Sequence, residues 1–321
     1  MSAMKVVITD ASFPDVAAER LAAEAAAAEF VRCDCKTAEE VTAAVAGANV
    51  VVVQFAPLTR TAIEGLASGS TAIRYGVGYN NFDLDALNDN GIRAAYVPDY
   101  CTDEVADHTA ATVLCFMRKL LTLDASVRAG QWDAVGTVRP LKAFKDSKIG
   151  FLGFGRIAQE VCARLRPFGL RFIACDPFMS ADSGVDVESV DLDTLLADSD
   201  CLCLHAPSTD ETVGVIGAAA LKAMKSSACV INSARGDLID EKALAEALKI
   251  GEISGAGLDV FAVEPLPDDS PLRDAPNVLL SPHAAWYSEV AVERLQGMVA
   301  GEITRALSGQ PVRQSIPGST V

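Results

Sequence analysis

The sequence predicts an α/β protein built from two doubly wound parallel sheets. Three observations carry this expectation. Short apolar stretches alternate with helical patterns along the chain, the order that yields parallel strands with covered faces. Half of the 321 residues are hydrophobic but only 6% are aromatic, as expected for Val-, Ile-, Leu- and Ala-rich buried strands. The G-x-G-x-x-A glycine fingerprint appears only near residue 150, so about 100 residues of β-α alternation form a domain before it.

In that first domain, strands are expected at Lys5–Thr9, Phe30–Cys35, Asn49–Phe55, Thr71–Tyr75 and Ile92–Val97. Helices are expected at Val16–Ala28, Ala38–Ala46, Thr61–Ala67 and Leu84–Asn88. Gly76-Val77-Gly78-Tyr79-Asn80-Asn81 follows a strand. Its glycine-flanked amides can form a small nest for a carboxylate, although a plain β-to-α turn has the same pattern. A single long helix is then expected from Thr102 to about Ala129. Thr102 suits an N-cap, Asp103 and Glu104 suit the positive helix end, and Gly130 suits the C′ position. The apolar circumference of this helix predicts burial within or between subunits.

The second sheet starts at Lys148-Ile149-Gly150-Phe151-Leu152. Gly153-Phe154-Gly155-Arg156-Ile157-Ala158 follows, and a helical pattern takes over. Gly153 permits the tight turn, Gly155 lets the backbone approach a pyrophosphate, and Ala158 lets helix and strand pack closely. Arg156 lies in the first helical turn, where free N–H groups and the positive dipole end favour an anion. The next strand, Leu170–Asp176, ends in an acid about 20 residues on, where ribose hydroxyls would be bound. Pro177 and Phe178 follow Asp176 with no nearby cation, which favours NAD over NADP. Further strands are expected at Cys201–Leu204, Ala228–Ser233, Ile253–Val260 and Val278–Ser281. Helices are expected at Leu192–Ala197, Ala218–Met224, from Asp240, and at Ser288–Leu307.

The formal net charge of −16 argues against nucleic acid or an anionic membrane surface as partner. No apolar run reaches the roughly 18 residues of a membrane span, and no signal peptide is recognised. The nine cysteines are scattered and contain no C-x-x-C pair. Free buried thiols, a reducing cytoplasm and no metal site are expected.

Three histidines are present. His108 falls inside a helix and His205 ends a strand, positions suited to structural or cofactor-lining roles. His283 follows the strand ending at Ser281, where open α/β sheets gather their ligands; a turn histidine bonded to backbone would occupy the same position. Arg235 and Glu264 follow two other strand ends. Arginine's fork matches a carboxylate, histidine exchanges protons near neutral pH, and a carboxylate beside an imidazole orients it and favours its protonated form. Asp259 is either a cofactor contact or a turn cap.

Together these residues resemble the NAD-dependent D-isomer-specific 2-hydroxyacid dehydrogenase family over nearly the whole chain. The signatures are Gly76-Val77-Gly78, Gly153–Ala158, Asp176, His205-Ala206-Pro207, Asn232-Ser233-Ala234-Arg235-Gly236, Asp259-Val260-Phe261 and Ser281-Pro282-His283. The resemblance implies a Rossmann cofactor domain at 102–286 inserted into a flavodoxin-like substrate domain at 1–101 plus 287–321, with hinges near Tyr100 and Ala285. It implies catalytic Arg235, Glu264 and His283, and a substrate carboxylate on the backbone of Val77 and Gly78. NAD contacts are implied at Gly153, Gly155, Arg156, Ile157, Asp176, His205, Ala234 and Asp259, and more loosely at Thr109 and Thr212. A homodimer through the cofactor domains is also implied.

Residues 281–289 most resemble the C-terminal-binding-protein branch, NADH-binding corepressors of dehydrogenase ancestry. Gln54 stands where phosphoglycerate dehydrogenases typically have Arg, which weakens 3-phosphoglycerate as substrate, and Glu264 in place of Gln argues against a formate dehydrogenase. The expected activity is hydride transfer between NAD(H) and a small D-2-hydroxy or 2-keto acid such as glyoxylate or hydroxypyruvate. Gln54, Phe55, Tyr100, Trp286 and Tyr287 are candidates for recognising the substrate tail, and Phe55 and Trp286 favour an uncharged one. The alternative is an NADH-sensing binding protein with vestigial activity; the absence of an evident tail for recruiting partners and the intact triad argue against it.

Overall fold

The computed structural model describes residues 3–179 and 186–319. The chain divides into two units, Met1–Tyr100 with Ser288–Val321, and Cys101–Tyr287.

In the first unit the strands are β1 (Lys5–Ile8), β2 (Glu29–Arg32), β3 (Val50–Val53), β4 (Thr71–Arg74) and β5 (Arg93–Ala95). Between them run α1 (Ala17–Ala25), α2 (Ala38–Val45), α3 (Arg60–Glu64) and α4 (Leu84–Asp89). The sheet is parallel in the order β2-β1-β3-β4-β5. All four valines of β3 are buried, and each contributes about 1.5–3 kcal/mol relative to exposure. Side chains that compete with the backbone elsewhere start the helices here. Thr37 and Glu40 form a capping box on α2, and Asp83 accepts the Ala86 amide of α4.

The second unit opens with α5 (Thr102–Met117), α6 (Leu120–Arg128) and α7 (Ala134–Val138). The expected single helix to Ala129 is therefore two. Lys119 takes a left-handed conformation, φ 51°, and α5 and α6 meet there. The inner face of α5 (Val105, Ala106, Thr109, Ala110, Thr112, Val113) is buried, whereas α6 buries none of its residues. No core holds the continuation on the axis of α5. Thr102 is the first helical residue rather than the cap, which is Cys101, whose side chain accepts no capping bond from the helix amides.

The remaining elements are β6 (Lys148–Leu152), α8 (Arg156–Leu165), β7 (Arg171–Cys175), β8 (Glu188–Ser189), α9 (Leu192–Asp198) and β9 (Cys201–Leu204). They continue with α10 (Ala218–Ala223), β10 (Cys229–Asn232), α11 (Glu241–Lys249), β11 (Gly255–Leu258) and β12 (Val278–Leu280). The last helix, α12 (Glu289–Leu307), starts at a Ser288 cap and packs on α1 in the first unit. The second sheet is parallel in the order β12-β11-β10-β9-β6-β7-β8. Leu152, Cys175, Leu204, Asn232, Leu258 and Leu280 stand in register across six strands. The residue after each (Gly153, Asp176, His205, Ser233, Asp259, Ser281) therefore joins one row along the carboxyl edge. Strand order reverses between β6 and β9, the place where such sheets bind ligands.

Candidate active site

The row begins with the glycine turn. Gly153 has φ +83°, and a Cβ there would lie 2.7 Å from the Ala206 nitrogen and 2.8 Å from the His205 carbonyl carbon. Only glycine lets β6 turn so close to the end of β9. Gly155, which caps α8, differs: its Cβ would meet nothing within 4 Å. The fold does not require glycine there, and the bare helix end leaves room for a phosphate group to approach the backbone. Arg156 and Ile157 open α8, Arg156 exposed and Ile157 half-buried against the core. Asp176 accepts the Phe154 amide at 2.6 Å and the Phe178 amide at 2.7 Å, so the acid at the end of β7 also braces the glycine turn. Burial pushes the His205 imidazole down to about 4, so the ring is neutral. Its Nε2 is buried with no partner among the described residues. An open helix end, a braced acid and an orphaned ring nitrogen fit a dinucleotide.

Two expected contacts are occupied locally. The Thr109 hydroxyl lies 2.7 Å from that of Ser233. Thr212 Oγ1 donates to the Pro207 carbonyl at 2.6 Å and accepts the Thr209 amide at 2.8 Å, closing its own loop.

Farther along the row the second unit brings an acid and an imidazole together. Glu264 Oε2 lies 2.7 Å from His283 Nδ1, and Oε1 accepts the Phe261 amide at 2.9 Å. Burial pushes the Glu264 carboxyl up. The hydrogen bond and charge of His283, the Phe261 amide and the charge of Arg235 outweigh it and hold the group below its ordinary range. His283 takes φ 51°, an uncommon conformation for a residue with a side chain. Asp259 holds it there. Its carbonyl accepts the His283 amide at 2.7 Å. Its carboxylate accepts the Ser281 hydroxyl at 2.6 Å and the Ala284 and Ala285 amides at 2.8 and 2.9 Å. Arg235 sits in a clasp: Asn232 Nδ2 donates to its carbonyl at 2.8 Å, and Asn232 Oδ1 accepts the Ala234 amide at 3.0 Å. Trp286 and Tyr287 meet edge to face, ring centroids 5.7 Å apart.

The first unit carries the other expected residues. No described residue accepts from the amides of Val77 and Gly78. Phe55 is 48% exposed, with the Arg74 guanidinium 5.9 Å from its ring centroid. Gln54 is buried; its Oε1 accepts the Ser12 amide at 2.7 Å and its Nε2 donates to the Ser12 hydroxyl at 3.0 Å. The Tyr100 carbonyl accepts from Arg294 at 2.6 Å.

Residues 110–285 match the family model for the NAD-binding domain of D-isomer-specific 2-hydroxyacid dehydrogenases. The chain belongs to that family. Across 76% of its length this dehydrogenase is 36% identical to a D-3-phosphoglycerate dehydrogenase of Archaeoglobus fulgidus, and it spans only 46% of that longer protein. It is 35% identical to a glyoxylate reductase of Korarchaeum cryptofilum over 79% of this chain and 78% of that one. The NAD-dependent formate dehydrogenase of Staphylococcus aureus, solved with NAD, shares the fold with a TM-score of 0.88 at 26% identity, covering 98% of this chain and 100% of that one. The family's chemistry is NAD-linked oxidoreduction of 2-hydroxyacids, and NAD is the cofactor of this dehydrogenase.

Three contributors to the site carried no assignment from the sequence. Ser281 ties Asp259 to His108, its hydroxyl 3.4 Å from His108 Nε2. Glu241 accepts the Ala262 amide at 2.7 Å, bracing the segment that leads to Glu264. Gly236 faces the Phe261–Ala262 backbone so closely that a Cβ would lie 1.9 Å from the Phe261 carbonyl carbon. The Arg-Gly pair was a legible signal. Glu241 had none, because the contact spans 21 residues.

Proposed function

We propose that this dehydrogenase interconverts a small 2-keto acid and its D-2-hydroxy acid at Arg235, Glu264 and His283. The observation that carries the reading is the 2.7 Å contact between Glu264 and His283 Nδ1. It engages Nδ1 with the carboxylate and so orients the ring, and Nε2 is the nitrogen assigned to exchange a proton with the substrate oxygen. Bound NAD(H) supplies or accepts the hydride. Arg235 takes the substrate carboxylate as a charge-assisted pair, and the Val77 and Gly78 amides serve the same anion. Glu264, ionised, stabilises the imidazolium that donates its proton during keto-acid reduction. Gly153, Gly155, Arg156 and Ile157 would hold the pyrophosphate and Asp176 the adenosine ribose. His205, Thr109, Thr212, Ala234 and Asp259 line the remainder.

Glyoxylate or hydroxypyruvate suits the site better than 3-phosphoglycerate, since Gln54 offers no cation and its amide is spent on Ser12. Phe55 and Trp286 would face the tail. Initial rates over a panel of 2-keto acids, each with NADH and NADPH, test the reading. Turnover is expected with a short 2-keto acid whose tail carries no charge, and with a preference for NADH. No turnover of any keto acid would end it.

We also propose a homodimer through the cofactor domain. Leu120, Leu121, Val127, Trp132 and Val135 expose apolar surface on and around α6 and α7, which a second copy would cover. Light scattering at micromolar concentration should give twice the chain mass. A cytoplasmic location is supported by nine free thiols. Among the described residues no helix is long and apolar enough to cross a membrane.

A further inference from the structure

In the first unit the strand order reverses between β1 and β3, so ligands are expected at the carboxyl ends of these two strands. Asp10 lies just beyond β1 and is 6% exposed. Its Oδ1 accepts the Thr9 hydroxyl at 2.7 Å and the Gln54 amide at 3.0 Å. Its Oδ2 accepts the Phe55 amide at 2.5 Å and the Ala56 amide at 3.1 Å. Three consecutive amides beyond β3 thus converge on one carboxylate. The loop is gripped from the other side as well. Asn81 Nδ2 donates to the Ala56 carbonyl at 2.9 Å and the Gln54 carbonyl at 3.4 Å, and the Gln54 side chain is tied to Ser12.

Gln54 and Ala56 are buried, and only the Phe55 ring stands out of this clamped backbone. Arg74 links that ring to the Gly76 turn. Its guanidinium lies 5.9 Å from the Phe55 centroid, and its Nη1 lies 3.1 Å from where a Gly76 Cβ would sit. An exposed aromatic ring on a backbone fixed by hydrogen bonds from both sides is a preorganised wall rather than a loose loop side chain.

We propose that Asp10 is a positioning residue: it clamps the 54–56 loop so that Phe55 forms the wall against which the substrate tail is read. This rests on the keto-acid reading above. Glyoxylate has no side chain and should be indifferent to the wall, whereas hydroxypyruvate and 2-ketobutyrate should feel it. In Asp10→Ala, KM for the two tailed acids should rise about tenfold, the effect of losing preorganisation at one contact. KM for glyoxylate and NADH should move far less. Asp10→Asn, which keeps an acceptor oxygen, should recover part of the discrimination.

Hydrogen exchange supplies a readout independent of turnover. The peptide covering 54–56 should lose protection in Asp10→Ala while the β1 and β3 cores keep theirs. A uniform loss of kcat or KM across tailed and tailless acids, or undiminished protection at 54–56, would overturn the proposal. If the wild-type protein reduces no keto acid, the keto-acid reading fails and takes the tail assignment with it, and exchange alone decides whether Asp10 clamps the loop.

Discussion

Replacing Gly236 with alanine is the sharpest perturbation of the catalytic unit. The added methyl would lie 1.9 Å from the Phe261 carbonyl carbon, 2.2 Å from its oxygen and 2.3 Å from the Ala262 nitrogen. Non-bonded carbons rest at about 3.5–4.0 Å, so the Arg235 and Phe261 segments must part by roughly 1.5 Å. Both are main chain, and neither can step aside by changing rotamer. The Phe261 amide holds Glu264 Oε1 at 2.9 Å, and Glu264 Oε2 holds His283 at 2.7 Å. The shift therefore reaches the imidazole through one residue. A misplacement of about 1 Å can cost on the order of 10²-fold in rate, and overpacking costs about 1–3 kcal/mol of stability. The assay is kcat/KM for keto-acid reduction beside thermal unfolding, with Gly297→Ala as control. A methyl on Gly297, in the exposed middle of α12, meets nothing within 4 Å and should stabilise by about 0.5–1 kcal/mol. Wild-type kcat/KM in Gly236→Ala would refute the claim that this contact sets the distance between the Arg235 and Glu264 segments.

Two more outcomes follow from charge. Glu264 lies below the ordinary carboxylate range and stays ionised at neutral pH, so it presents a full negative charge to the His283 ring. Glu264→Gln, which keeps the shape of the side chain but removes its charge, should lower kcat for keto-acid reduction on the order of 10²-fold at neutral pH, read from initial rates at saturating NADH; wild-type kcat would count against the pairing. Asp200 is buried at the amino edge of the second sheet, 2.8 Å from Lys142 Nζ and 3.1 Å from Lys225 Nζ. Burial pushes its carboxyl up, but Lys142, the Lys148 amide and Lys225 together hold it below the usual range. A depressed carboxyl stabilises the fold above the unfolded value of about 3.9 and loses that contribution as pH falls through the folded value. The Lys142 side chain keeps 49% of its surface in water, so screening lowers the cost of Asp200→Asn to about 1–3 kcal/mol. The deficit, measured by denaturant unfolding, should hold steady from neutral pH to about 4 and close only below that; a deficit that fades at higher pH would contradict the assignment.

Much of the fold was legible because its signals are local. Val50–Val53 is a strand buried on both faces and reads as an unbroken apolar run. Asp240 and Ser288 read as helix starts because their side chains accept amides of α11 and α12. The helix expected through Ala129 failed because composition does not reveal where the supporting core ends; α6 keeps a helical sequence after α5 has left the sheet. Within the site, the strand-turn-helix around Gly153 could be read from residue types, since a tight turn and a close helix each demand small side chains. The tasks of Gln54, Thr109 and Thr212 could not be read, because short polar side chains bond to whatever lies within about 3 Å, and the fold decides what that is. Asp10 gave no signal at all: an acid after a strand looks like any turn residue until three amides from a loop 44 to 46 positions away converge on it.

The central claim is that His283, held by Glu264, exchanges the substrate proton. Turnover by His283→Ala, measured as NADH oxidation with the best keto acid while NADH binding is followed in parallel, tests it most directly. The account predicts a fall of about 10²–10⁴ in kcat with NADH affinity retained. Turnover equal to wild type would contradict it.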